Sequence, residues 1–191
     1  MASFDFGVNS AELSDAQRPH LKEIPFVPLT NLRINSALPA AQKAIRQAAG
    51  LDLPRVPNTI SRGPYCIAMW LGPDEWLLRW HGTEPDRAAM LAHALSGTFH
   101  AINELGNGYS VLELSGPRAR EVLNKGCPLD LHPRSFGPEQ CAQSLYFKAS
   151  VLLRCLGTGA EDAWEIIVRR SFADYTAHML VDAMQEYGAD L

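Results

Sequence analysis

The chain has 191 residues, a net charge of −4 and a charged fraction of 20%, against a hydrophobic fraction of 47%. That length supplies one sizeable domain plus an arm, with enough apolar surface to build a core without disulfides or metals. The acidic balance and the lack of any basic block argue against a phosphate-tracking nucleic-acid surface. No window approaches the roughly 18 apolar residues of a membrane span. The N-terminus, MASFDFGVNSAELSD, has neither the basic nor the apolar region of a signal peptide, so a cytoplasmic location is expected.

Residues 1 to about 30 show no sustained periodicity, yet Phe4, Phe6, Phe26 and Val27 make them too apolar for a free tail. Seven of the thirteen prolines fall between Pro19 and Pro64, interrupted by an Ala-rich helix from Pro39 to Ala49 that Gly50 stops. Residues 1–64 therefore read as a proline-rich extended arm with one short helix, lying either on its own domain or around a partner subunit. Residues 65–191 read as an α+β core domain. Its first runs, Tyr65–Leu71 and Trp76–Trp80, flank the turn Gly72-Pro73-Asp74-Glu75 and predict a hairpin. Thr83-Glu84-Pro85-Asp86 resembles a capping box, opening a helix to Ser96 that Gly97 ends.

Phe99–Asn103 and Tyr109–Leu114 predict two strands joined through Gly106-Asn107-Gly108. The stretch Ser115-Gly116-Pro117 then offers a cap and a first-turn proline, and Ala119, Val122 and Leu123 form one apolar face. Gly126, in the left-handed conformation, and Pro128 predict the stop of that helix. Leu145–Leu156, with a break near Ala149-Ser150, and Trp164–Val168 predict further strands. Ser171-Phe172-Ala173-Asp174 caps the last helix, whose stripe is Phe172, Tyr175, Met179, Ala183, Met184 and Tyr187, with Gly188 as its end. From Trp76 to Leu156 the order is β-α-β-β-α-β, the ferredoxin-like split βαβ, in an antiparallel or mixed sheet with helices on one face.

The search for chemistry returns no complete set. Gly106/Gly108 and Gly157/Gly159 are two-glycine turns that open no helix, and neither a Walker A nor a G-x-S-x-G or H-E-x-x-H sequence occurs. Cys66, Cys127, Cys141 and Cys155 have no C-x-x-C pairing and read as buried free thiols. A zinc site on Cys127 and His132 needs two further ligands to which nothing points. His93 and His178 fall on the solvent side of their helices. Asp74-Glu75 and Glu161-Asp162 suit turns, Arg169-Arg170 a surface or interface pair, and the four tryptophans a core, with Trp76 and Trp80 suited to an interface should their face lack a helix.

Three stretches taken together carry a resemblance: WLGPDEWLL (70–78), ELSGPRAREVLNKGCPLDLHPRSF (113–136) and WEIIVRRSFADYTAHML (164–180). In this order they resemble the gamma subunit of bacterial heterotetrameric sarcosine oxidase. The S-G-P stretch is shared with the folate-dependent aminomethyltransferases of glycine cleavage, whose folate-binding-domain fold is implied in part. The resemblance implies a small, non-catalytic subunit with alpha, beta and delta partners, in an assembly that oxidises sarcosine to glycine with oxygen. Hydrogen peroxide and formaldehyde or methylenetetrahydrofolate are the implied products, with FAD, FMN, NAD and tetrahydrofolate held by the complex and none by this chain. Gly157 to Ile166 is similar to the aminomethyltransferase stretch in which a carboxylate helps hold folate, which makes Glu165 the residue to test. An inserted alanine and Ala163 in place of glycine depart from that pattern and favour a vestigial site. The alternatives are a free-standing folate-binding or aminomethyl-transferring protein, and a subunit of a related N-methyl amino acid oxidase or dehydrogenase.

Overall fold

The computed structural model describes residues 18–82 and 86–187, which fall into two compact units. One unit comprises residues 26–107 and 139–142. It contains β2 (Leu29–Ile34), α1 (Pro39–Ala49), β3 (Ile60–Arg62), β4 (Cys66–Gly72), β5 (Glu75–Trp80), α2 (Arg87–Ala94) and β6 (His100–Glu104), after β1 (His20–Ile24) of the other unit. Its sheet has the order β3-β4-β5-β2-β6 with every neighbour antiparallel. Leaving out the outer β3, the path β2-α1-β4-β5-α2-β6 is the ferredoxin-like arrangement, with β5 between the two strands joined by α1.

Local signals account for these elements. Pro39 sits in the first turn of α1, and Gly50 closes the helix in the left-handed conformation with its N–H on the Arg46 carbonyl at 3.1 Å. Ala41, Ala44, Ile45 and Ala48 recur at helical spacing and pack with Leu32, Ile34, Trp76, Leu78, Trp80, Leu91 and Leu95. Both core indoles find acceptors: Trp76 Nε1 donates to Pro54 O at 2.8 Å and Trp80 Nε1 to Thr30 Oγ1 at 2.9 Å. These tryptophans are core and not interface. Of the capping box expected at residues 83–86, the first three lie outside the described residues. Asp86 takes φ 72° and its side chain makes no capping bond.

The other unit comprises residues 1–25, 108–138 and 143–191. Its elements are β1, β7 (Tyr109–Ser115), α3 (Ala119–Asn124), β8 (Cys141–Tyr146, whose first residues belong to the unit above), β9 (Ala149–Gly157), β10 (Ala163–Arg169) and α4 (Ala173–Met184). The sheet order is β1-β7-β10-β9-β8. Here β7-α3-β9 is again a split crossover with β10 between its strands, and β1, from the N-terminal side of the chain, occupies the place of the fourth ferredoxin strand.

The α+β class and the antiparallel sheets are as expected, but three expectations need correction. The elements expected from Trp76 to Leu156 occur in that order, with the run Leu145–Leu156 split between the end of β8 and β9, yet they are divided between two sheets, one completed by β1 and the other by β2 and β3 from the supposed arm. Of residues 1–64, those up to 17 lie outside the described set. The described remainder supplies β1, β2, α1 and β3, and the units do not follow a boundary near residue 64. β2 is an interior strand because Pro25, Pro28 and Pro39 all stand outside it, where they remove no ladder hydrogen bond. The stripe of α4 is turned from the predicted one: Thr176, Ala177, Leu180, Val181, Ala183 and Met184 are buried, while Phe172 is exposed and stacks edge-on against Tyr175 at 6.4 Å. Gly188, the expected stop, lies outside the described residues.

The start of α3 also departs from its local signal. Arg118 is the N-cap residue and no side chain near it caps the helix. The cap comes from 42 residues away: Asp162 Oδ2 accepts the Arg120 N–H at 3.1 Å, and Oδ1 accepts Arg120 Nη2 at 2.8 Å and Trp164 Nε1 at 3.2 Å. Arg120 Nη1 donates to the carbonyls of Leu131 and Phe136, and its guanidinium lies 4.7 Å from the Trp164 ring. Burial pushes the Asp162 carboxyl up, and the Arg120 charge opposes that shift. Gly116, at φ 109°, gives its N–H to Asp162 O at 2.9 Å, and a Cβ there would run into the Arg18 carbonyl. Gly126 is not left-handed as expected; a Cβ there would lie 2.5 Å from the Phe147 ring, so its role is space.

Two outcomes follow from this junction. Gly116→Ala combines backbone strain with a main-chain clash and should cost at least about 2 kcal/mol, read as a lower urea midpoint at unchanged m. Arg120→Met leaves a buried carboxylate without its cation and should cost about 3–5 kcal/mol at neutral pH. A carboxyl raised above its unfolded value contributes stability below that unfolded value and loses it as pH rises through the folded one. The deficit against the parent protein should therefore shrink on acidification toward pH ~4, and a deficit independent of pH would contradict this account.

Candidate functional site

Glu165 lies in β10 beside Trp164, and strand alternation puts the two on opposite faces of the sheet. Trp164 meets Arg120 of α3, so its face carries the helices and Glu165 faces away from them. The register aligns four charged residues in one row across four strands: Lys22 opposite Glu113, Glu113 opposite Glu165, and Glu165 opposite Arg154. Lys22 Nζ is 2.8 Å from Glu113 Oε1, and Arg154 Nε donates to Glu165 Oε1 at 3.1 Å. Arg154 and Glu165 are both buried, with side chains 6% and 3% exposed. The two carboxylates are cross-strand neighbours, and a cation at each end of the row offsets their repulsion. The carboxylate singled out by the sequence is thus engaged by a guanidinium inside the sheet.

The remaining sequence-marked residues do not converge. Gly106–Gly108 is a 3₁₀ turn that leads into β7, and Gly159–Glu161 another, between β9 and β10. Asp162 is no turn ornament but 4% exposed and fully engaged at the α3 junction. No signal within its own segment marks it; a clue lay in Arg120, a charge between the apolar Ala119 and Val122 of a short helix. Asp74 and Glu75 are 3.9 Å from Arg33, and Glu75 also accepts from Asn31 Nδ2 at 2.9 Å. Arg169 and Arg170 are exposed.

Cys127 Sγ lies 3.6 Å from Ser144 Oγ, and His132 Nδ1 accepts the Arg134 N–H at 3.2 Å, so the two engage separate partners. Among the described residues no group of three or more His, Cys, Asp or Glu could hold a metal. All four cysteines are buried free thiols. Burial pushes the Cys66 thiol up to about 12 and raises Cys155 as well, the reverse of what a nucleophilic thiolate needs. At neutral pH Cys66 and Cys155 are protonated core side chains. His93 and His178 are exposed on their helices, as expected. A cleft of about 390 Å³ opens beside α1, lined by Ser36, Gln42, Ile45, Arg46, Asp52, Leu53 and Arg55; Arg46 Nε pairs with Asp52 Oδ1 at 2.5 Å. It holds no nucleophile with an adjacent base. Among the described residues no helix is long and apolar enough to cross a membrane.

Comparison with known proteins assigns this architecture. The family model described as sarcosine oxidase, gamma subunit family, matches residues 33–186. The sarcosine oxidase subunit gamma of Corynebacterium sp. (strain P-1) is 38% identical over 184 residues, covering 94% of this chain and 87% of that protein. Its counterpart from Arthrobacter sp. is 36% identical over 185 residues, covering 94% and 86%. A chain of the heterotetrameric sarcosine oxidase from Corynebacterium sp. U-96, solved with pyrrole 2-carboxylate, superposes with a TM-score of 0.82 at 34% identity, covering 95% of this chain and 91% of that one. The glycine cleavage system aminomethyltransferase T from Bartonella henselae shares the fold alone, with a TM-score of 0.63 at 19% identity over 87% of this chain and 46% of that one. A match to the family model over most of the chain, with relatives above 35% identity, establishes that this chain belongs to the sarcosine oxidase gamma subunit family.

Proposed function

We propose that this chain is the small structural subunit of a cytoplasmic heterotetrameric sarcosine oxidase, assembled with alpha, beta and delta chains. The observation that carries the reading is the superposition along nearly its whole length on a chain of a heterotetrameric sarcosine oxidase. The reaction would remove a hydride from the N-methyl group of sarcosine, with oxygen as final acceptor and hydrogen peroxide as its product. The resulting imine would give glycine and formaldehyde on hydrolysis by water, or glycine and methylenetetrahydrofolate when tetrahydrofolate takes the one-carbon unit. Cofactors supply that redox and one-carbon chemistry. Among the described residues, the two-glycine turns open no helix that would face the phosphate of a flavin or a dinucleotide, and the Glu165 carboxylate that would meet folate is bound to Arg154. FAD, FMN, NAD and tetrahydrofolate would accordingly be held by the other subunits, and no catalytic step is assigned to this chain.

The rival reading, a free-standing folate-binding protein, rests on the aminomethyltransferase-like fold and on Glu165. The buried Arg154–Glu165 pair weighs against it, because the carboxylate would have to leave a charged partner in order to meet a pterin.

Co-expression with the alpha, beta and delta chains of the same source should return all four in one complex with sarcosine-dependent peroxide formation. Recovery of an active complex lacking this chain, or of this chain alone, would remove the assignment. Glu165→Gln should act on stability and not on folate: a loss of about 3–5 kcal/mol in urea melts, with a smaller loss in Arg154→Met/Glu165→Gln than the two single losses added. Saturable tetrahydrofolate binding by the parent chain, abolished in Glu165→Gln, would transfer the case to the rival.

A further inference from the structure

The sheet order leaves β6 at an edge, with β2 its partner among the described residues. Which of its main-chain groups face outward follows from one bond. Leu105 N–H donates to Leu29 O at 2.8 Å, so by antiparallel alternation Asn103 and Ala101 also turn their N–H and C=O toward β2. The bonds on the other side of β2 agree: Ile34 N–H donates to Asp74 O, and Trp80 N–H to Pro28 O. His100, Ile102 and Glu104 therefore present three donors and three acceptors at the open edge. Ala101, Asn103 and Glu104 are exposed, and Phe99, immediately before the strand, is 98% exposed.

Soluble proteins blunt such edges with lysine, proline, bulges or short strands. The other edge of the same sheet, β3, is three residues long, and its line is continued by the bridge Thr59–Gln140. In the second sheet, β1 carries Lys22 and Glu23. β6, His100-Ala101-Ile102-Asn103-Glu104, has no proline, no lysine and an uninterrupted register.

We propose that β6 pairs antiparallel with β6 of a second copy of this chain, about a two-fold axis through Ile102. The occupant is argued from self-complementarity. Centring an antiparallel pair on Ile102 sets His100 opposite Glu104 of the other copy, Ala101 opposite Asn103, and exposed Phe99 opposite Leu105. The outward-facing residues then meet each other, giving about six interchain N–H···O bonds. His100 Nδ1 already lies 2.8 Å from Thr98 O and donates to it, so a charge-assisted bond to the opposing carboxylate comes from Nε2 of the imidazolium form, in which both ring nitrogens are donors. An isologous contact of this kind closes with two copies. A single five-residue ribbon is small beside a standard interface, so a dissociation constant on the order of tens to hundreds of micromolar is expected. The inference uses no feature of the oxidase assignment and stands apart from it.

Sedimentation velocity of the full chain, from a few to several hundred micromolar, should show a monomer–dimer shift. Amide exchange at His100, Ile102 and Glu104 should slow with concentration, while Ala101 and Asn103, already bonded to β2, stay unchanged. Glu104→Pro removes an outward N–H without touching the β2 ladder, so it should keep the parent urea midpoint and remain monomeric. His100→Glu should weaken dimerisation at least about tenfold, and His100→Glu/Glu104→Lys should restore it. A chain monomeric throughout the range, a dimer that persists in Glu104→Pro, or an edge protected only when the other oxidase subunits are added would each overturn the proposal.

Discussion

The unit that contains α3 depends on one buried ion pair. Arg120 and Asp162 are remote in sequence, and their contact joins the start of a six-residue helix to the entry of the central strand β10. A helix of that length has no stability of its own in water, since nucleation consumes most of what its few hydrogen bonds return. Its first turn also lacks a local cap. Asp162 supplies that cap and at the same time satisfies the Trp164 indole, while Arg120 reaches on to the Leu131 and Phe136 carbonyls and so anchors the proline-containing loop. A buried charge pair of this kind contributes little net stability against an apolar substitute. What it secures is that each polar group has a partner in one arrangement only.

Gly116 belongs to the same constraint. With φ 109° and the Arg18 carbonyl packed against its Cα, it lets the segment entering β1 pass over the strand-to-helix turn. The Ser-Gly-Pro sequence reads locally as a helix start, and a helix does start there. The glycine is needed for a tertiary contact that no local pattern announces, and the capping function belongs to a residue on another strand.

This separates what could be read in the chain from what could not. The bounds of α1 were legible to the residue because Pro39 and Gly50 act through their own backbone. The hairpin of β4 and β5 was legible for the same reason, as was the apolar face of α3. β2 was not: six residues between prolines give too little alternation to distinguish an interior strand from an extended arm, and its burial is decided by β5 and β6 on either side. With β2 taken for extended arm, the ferredoxin-like order starts two strands late, at β5 instead of β2, and runs across two sheets. The membership of the chain was legible because three separated stretches carry it together. Glu165 was located but not understood, since its meaning lies in Arg154 and Glu113, which only the register sets beside it.

That register explains why charges are kept within a sheet that could have been apolar. Lys22, Glu113, Glu165 and Arg154 occupy one row on the face away from α3 and α4, while Leu114, Trp164 and Cys155 occupy the adjacent row on the helix face. A slip of β10 by one residue would exchange the two rows, turning Glu165 into the apolar layer under the helices and Trp164 out of it. An unpaired carboxylate there costs several kcal/mol, far more than the ladder hydrogen bonds could distinguish between registers. Two flat apolar rows would tolerate the slip; one charged row beside one apolar row does not. The feature that first suggested a binding site is on this argument a device for alignment, which suits a chain whose place in its family is that of a subunit.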